Sequence, residues 1–208
     1  PCACTDCRRY WSRYRAGEID EAEIAEINNK LVGSIGTCTV MGTASTMASL
    51  VEAMGLCLPM AGSAPATDAE RVRLAEETGR VAAQLAVGNG PTVRDLLTPD
   101  VIRNALVALQ AMGGSTNAVV HLAAICGRLG TRLDLELLDA IGRQIPLLVD
   151  LKPSGQNYMQ EFHQAGGVPR LLKELSKHLT LSAPTVYGGT IADVCERRLM
   201  IILHQFEE

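Results

Sequence analysis

At 208 residues the chain is sized for one domain or a large part of a bigger one. Apolar residues make up 47% of it but aromatic residues only 3%, so the core must be built from Ala, Leu, Val, Ile and Met, a balance that favours packed helices over a β-sandwich. A net charge of −4 with acids and bases intermixed, no basic stripe and no apolar run of bilayer length argues against nucleic-acid binding and against a membrane span.

The opening PCACTDCRRYW shows no clear period. It starts at Pro1 without an initiator methionine and has no secretory pattern, so the expectation is an N-terminus that is not the natural one and no signal peptide. A helix is predicted from Ile19 to Leu31, capped by Asp20 with Glu21 and Glu23 in its first turn. The loop 33–43 leads to a helix over Thr46 to Leu56, closed by Gly55 and Pro59. After the small-residue loop 60–68, Asp68 or Thr67 caps a half-solvated helix that runs to about Val87, and GNGP at 88–91 is a turn.

LTPDVIRNALVALQAM, 97–112, has the clearest helix start: Thr98 as cap, Pro99 in the first helical position, Asp100 in the first turn, and a stop at Gly113-Gly114. A second apolar helix is predicted over 116–128 and a short one from Asp134 to Gly142. IPLLVDL, 145–151, is the best strand candidate, closed by Lys152-Pro153-Ser154-Gly155. Helices over 157–165 and 168–179 are split by Gly166-Gly167; TVYGG reads as a short strand and 190–205 as a last helix. The sum is an α/β fold with heavy helical content.

Several glycine-rich breaks precede helices, where free N–H groups can meet anions. GTCTVMGTAST, 36–46, holds one cysteine, two glycines, four threonines, a serine and no charge. Cys38 reads either as a buried cysteine in a tight loop or as an iron or zinc ligand or nucleophile. In GGSTNAVVH, 113–121, N-capping accounts for one of Ser115, Thr116 and Asn117 but not for three in a row, which leaves a carboxylate or polyol site as the equal reading. His121 reads as a satisfied core or surface histidine. Cys2, Cys4 and Cys7 have spacings that zinc or a cluster could use, with no fourth ligand evident nearby. KPSG is either a ligand-facing turn after a strand or an ordinary turn. Cys57, Cys126 and Cys195 read as packing. Seven cysteines, an odd number at uneven spacing, suggest reduced thiols in the cytoplasm rather than a disulfide framework.

GTCTVMGTASTMASLVEAMGLCLP, NALVALQAMGGSTNAVVHLAAICGRLG and LVDLKPSGQNYMQEFHQAGGVPRLLKEL, taken in order, resemble the dihydroxy-acid and sugar-acid dehydratase family, and the match runs from about Ala16 to Thr190. MGTASTM is closer in wording to the sugar-acid (aldonate) branch. The resemblance implies a hydro-lyase that removes water from a 2,3-dihydroxy acid to give a 2-keto acid. It also implies an iron–sulfur cluster, [2Fe-2S] or [4Fe-4S], beside Mg2+, and a homodimer acting on a small hydroxy acid. On that resemblance Cys38 matches the third cluster cysteine, Thr43, Ala44 and Ser45 form a turn into the next helix, and Ser115, Thr116 and Asn117 lie beside the substrate.

The family's other two cluster cysteines, the Cys-Asp-Lys lysine that binds magnesium, and the catalytic serine and magnesium glutamate of a C-terminal β-barrel-like domain find no match here. No catalytic residue is therefore assigned. The expectation is a single partial domain over 1–208, a piece of the N-terminal dehydratase domain that is inactive alone. The rival reading is a non-enzymatic helical interaction module whose glycine-rich loops are only caps.

Overall fold

Side-chain caps set four of the helix starts, at Asp20, Thr92, Thr98 and Asp134, while Asp68 takes the N-cap position of its helix without the predicted side-chain bond. A computed structural model describes residues 4–30, 35–36, 38–88 and 90–196. Its first helix, α1 (Cys4–Arg15), occupies the stretch in which the sequence shows no period. α2 (Glu21–Asn29) begins as predicted, with the Asp20 carboxylate accepting from the Glu23 N–H at 2.8 Å; Leu31, its predicted end, lies outside the described residues.

α3 (Thr43–Ala53) starts at Thr43 rather than Thr46, so Thr43, Ala44 and Ser45 are its first turn and not a separate entry turn. Gly42 precedes it without a side-chain cap, and the Ser45 hydroxyl donates back to the Val40 carbonyl at 3.3 Å, which folds the loop onto the helix. α4 (Ala69–Val87) and the single turn α5 (Val93–Leu96) follow. α6 (Pro99–Met112) has the predicted Thr98 cap and Pro99 start, and it stops at Gly113 with φ 60°, a left-handed position that suits glycine. α7 (Asn117–Arg128) and α8 (Leu135–Gln144) also match their predicted spans, the latter capped by Asp134. α9 (Met159–Gln164) and α10 (Gly167–Glu174) are divided at Gly166-Gly167 as expected. Residues 191–196 are helical, and the rest of the predicted last helix lies outside the described residues.

Sequence and structure part at the sheet. Residues 145–151 form no strand, and their ladder pairing is one isolated bridge, Leu151 with Asn157. TVYGG folds as a turn flanked by a bridge between Pro184 and Thr190. Among the described residues no strand is longer than a bridge, so the α/β expectation is corrected to a helix-rich fold. The cause is the partner on offer: Ile145 and Leu151 are buried against helices, and the Leu148 N–H donates to the Ala111 carbonyl in the last turn of α6. An apolar run of this length reads as a strand whether its neighbour is a sheet or a helix bundle.

α6 is the central element. Val101, Ala105, Leu106, Val107, Ala108, Leu109 and Met112 are all buried, and a narrow strip with Arg103 and Gln110 stays partly exposed. α3 and α8 pack on α6, and α7 and α10 pack on α3. Asn104, fully buried among them, is satisfied by Thr180, donating to its carbonyl at 3.0 Å and accepting its N–H at 2.8 Å. On α3 the buried Glu52 accepts from the Met60 and Gly62 N–H groups at 2.6 and 2.8 Å, holding a turn in which Met60 takes φ 73°. Among the described residues no helix is long and apolar enough to cross a membrane.

Candidate functional site

Three segments singled out in the sequence meet in space. The first turn of α3 and the entry to α7 are joined by Thr43 and Thr46. The Thr43 hydroxyl lies 3.0 Å from the Ser115 hydroxyl and accepts from Asn117 Nδ2 at 3.0 Å, and the Thr46 hydroxyl accepts the Ser115 N–H at 3.0 Å. The third segment is KPSG and its continuation. The Met41 N–H donates to the Lys152 carbonyl, and the Met159 N–H donates to the Thr39 carbonyl, both at 2.8 Å. The Cys38 loop therefore runs between residues 152–159 and the start of α3.

Gly114 makes the approach of α7 to α3 possible. A Cβ there would sit 2.7 Å from Thr46 Cγ2 and 2.9 Å from Leu109 Cδ1, closer than carbon atoms pack. Two helix N-termini, each with its positive dipole end, consequently lie side by side beside the loop.

Cys38 is exposed, which removes the buried-cysteine reading. Ser115 is half-buried and Thr116 and Asn117 are exposed. Thr116 occupies the N-cap position of α7 without a side-chain cap bond; the Asn117 N–H donates to the Ser115 hydroxyl instead, at 3.3 Å. His121 is exposed on α7. Cys126 and Cys195 are buried, in keeping with packing, and Cys57 is half-buried with its thiol pushed up to about 12, chiefly by burial. Cys2 and the side chain of Cys4 lie outside the described residues, while Cys7 is half-buried on α1. The described residues contain no group of three or more His, Cys, Asp or Glu side chains placed to hold a metal ion. A cavity of about 550 Å³ is lined by Leu148, Val149, Phe162 and Leu171, and none of the predicted site residues lines it.

Two polar clusters escaped the sequence. Lys152 donates to both oxygens of Asp6 (3.2 and 3.0 Å) and to the Tyr158 hydroxyl (2.7 Å), which in turn donates to Asp6 at 2.7 Å. The hydrogen bonds to Tyr158 and Asp6 hold the Lys152 ammonium above its ordinary value. For the Tyr158 phenol the Lys152 hydrogen bond pulls downward, but burial and Asp6 outweigh it and the net shift is up. At the other end of α9, His163 Nδ1 lies 3.0 Å from Ser63 Oγ and its Nε2 3.1 Å from Glu70 Oε2. KPSG was a signal for the first cluster; Asp6 and Ser63 had none, because each pairs across about a hundred or more residues of chain.

The architecture is a helix-rich domain portion with a small, uncharged cysteine loop and a hydroxyl-lined junction of helix starts. Residues 2–194 match the family model described as Dihydroxy-acid/6-phosphogluconate dehydratase N-terminal, and the chain belongs to that family. It is 40% identical over 186 residues to a 6-deoxy-6-sulfo-D-gluconate dehydratase of Pseudomonas putida, covering 89% of this chain and 32% of the relative. Dihydroxy-acid dehydratase 1 of Methanosarcina acetivorans matches at 39% over 180 residues, 86% of this chain and 32% of the relative. A dihydroxy-acid dehydratase of Pyrobaculum calidifontis matches at 43% over 186 residues, 88% and 33%. The chain thus spans about a third of the length of these curated relatives, and both branches match it at the same level.

Proposed function

We propose that the chain is the part of a hydro-lyase's N-terminal domain that brings one cysteine ligand and a hydroxyl-lined wall to a site for a 2,3-dihydroxy acid of the aldonic class. The observation that carries this reading is the exposed Cys38 in an uncharged loop tied to the Ser115–Asn117 helix start through Thr43 and Thr46. Relatives named dihydroxy-acid dehydratase and sulfo-gluconate dehydratase support a dihydroxy acid, and the wording of MGTASTM is what points to the aldonic class.

The donor set fits one thiolate of an iron–sulfur cluster: a single exposed thiol among small, uncharged neighbours in the loop that leads into α3 suits a soft, anionic group. The remaining cluster and Mg2+ ligands have no counterpart among the described residues, so they would come from elsewhere in a longer chain. When bound, these metals would supply Lewis acidity to the departing hydroxyl and the carboxylate. This chain's own residues would hold and orient: Ser115, Thr116 and Asn117 offer hydroxyl and amide groups to the acid's hydroxyls, and Thr43 fixes their geometry. The longer protein would be a cytoplasmic homodimer, a compartment in keeping with the free thiols at 7, 38, 57, 126 and 195.

Anaerobic iron–sulfide reconstitution of the longer protein tests the ligand assignment. Its visible charge-transfer absorption should be lost in Cys38→Ser, and retention of an unchanged spectrum would overturn it. The 208-residue chain alone should form no 2-keto acid from aldonates, and steady turnover would refute its proposed dependence on further residues.

A further inference from the structure

We propose that Asp6, Lys152 and Tyr158 form a positioning clasp that fixes the backbone of the Cys38 loop. Its functional meaning rests on the ligand reading above; its geometry does not. The loop is held on two rungs, Met41 N–H to the Lys152 carbonyl and Met159 N–H to the Thr39 carbonyl. One rung uses the backbone of Lys152 itself, and the other uses the residue directly after Tyr158. The Lys152 N–H also donates to the Asn157 carbonyl at 2.9 Å, so the two rungs belong to one short closed turn. The side chains of Lys152 and Tyr158 then close that turn from the other side by gripping the same carboxylate.

Asp6 is the anchor. Its side chain is only 10% exposed and that of Lys152 17%, so the ion pair is largely shielded from water, and Arg9 on the same helix also reaches the carboxylate, at 3.5 Å. Asp6 sits on α1, remote in sequence, so the clasp couples that helix to the loop. The same three residues could be imagined as a proton relay, since lysine beside tyrosine can lower a phenol's pKa. Here both the ammonium and the phenol are shifted up, which keeps the lysine charged and the tyrosine protonated. The cluster is built to hold position rather than to pass protons.

Amide hydrogen exchange on the 208-residue chain is the test. Tyr158→Phe removes only a hydroxyl, and Lys152→Met removes the charge while keeping much of the stem. Each should speed exchange at the Met41 and Met159 amides by about tenfold, the size expected for one lost charge-assisted hydrogen bond acting on local opening. The Leu106 amide in the buried α6 should be unmoved. Alkylation of the buried Cys126, read by mass spectrometry, should stay unchanged in both variants, and its acceleration would likewise mark general destabilisation. Unchanged protection at Met41 and Met159 in both variants would overturn the clasp, as would equal acceleration at Leu106 in both, which marks general destabilisation. No readout involves iron: a positive exchange result with a cluster spectrum indifferent to Cys38→Ser keeps the clasp and removes the ligand reading.

Discussion

Thr46 Oγ1 accepts the backbone N–H of Ser115 at 3.0 Å, a hydrogen bond from a fully buried side chain on α3 to the entry of α7. Thr46→Val keeps the shape and removes the acceptor. The Ser115 N–H then loses its partner at a half-buried position, at a cost of about 1–3 kcal/mol. Urea unfolding should show a lower midpoint with an unchanged slope, since surface exposed on unfolding is the same. An unchanged midpoint would mean that water replaces the hydroxyl without loss.

Gly114→Ala should open the same junction. The new methyl meets Thr46 Cγ2 and Leu109 Cδ1 inside contact distance, and relieving it by backbone shift costs about 1–3 kcal/mol. Because Thr46 is one of the two obstacles, Thr46→Ser should recover part of that loss. A double-mutant cycle on unfolding free energies reads the coupling, and strict additivity would show that the clash is relieved elsewhere.

Local chemistry made most helices legible. Asp20, Thr98 and Asp134 each perform the cap their position suggests, and Gly113 and Gly166 end or divide helices where left-handed backbone is needed. The start of α3 was misplaced because Gly42-Thr43-Ala44-Ser45 carries no cap signature; the helix begins there through packing against Ser115 and Asn117. α1 was missed because its stripe of Cys7, Trp11 and Tyr14 is crowded by arginines and stays half-buried, outside the buried core. Of the site, the motif residues could be named in sequence, but the links among Thr39, Met41, Lys152 and Met159 could not, since backbone pairing between distant loops leaves no trace in side-chain pattern. The run 145–151 shows the limit in the other direction, an apolar pattern that fixes burial without fixing what it pairs with.

Ser49 offers a stabilising change. Its hydroxyl is fully buried on α3 and lacks a hydrogen-bond partner. Ser49→Ala removes that uncompensated polar group and adds helix propensity, so stability should rise by about 1 kcal/mol. Thermal unfolding should show a higher Tm. A lower one would reveal that the hydroxyl is satisfied in solution, by a bound water for example.

Alkaline pH should weaken the fold through Cys57, Lys152 and Tyr158. Burial, with a smaller contribution from the nearby Glu52 charge, pushes the Cys57 thiol from 9.0 to about 12, against the opposing pull of Arg71. Between those values the unfolded chain has released the proton while the folded chain retains it. The folded state therefore binds more protons, and stability falls as pH rises through this window. Lys152 and Tyr158 act in the same direction from their ordinary values of 10.5 and 10.0 upward, because both are raised in the fold. Below about pH 8 these three groups are protonated in both states and contribute no slope. Cys57→Ala should lower stability at neutral pH by loss of packing, yet its deficit relative to the parent should shrink from about pH 8 to about pH 11, because the variant has no thiol to deprotonate on unfolding. Urea unfolding across that range measures it. A deficit that stays constant, or widens, would show that the Cys57 thiol titrates in the folded chain much as it does in the unfolded one.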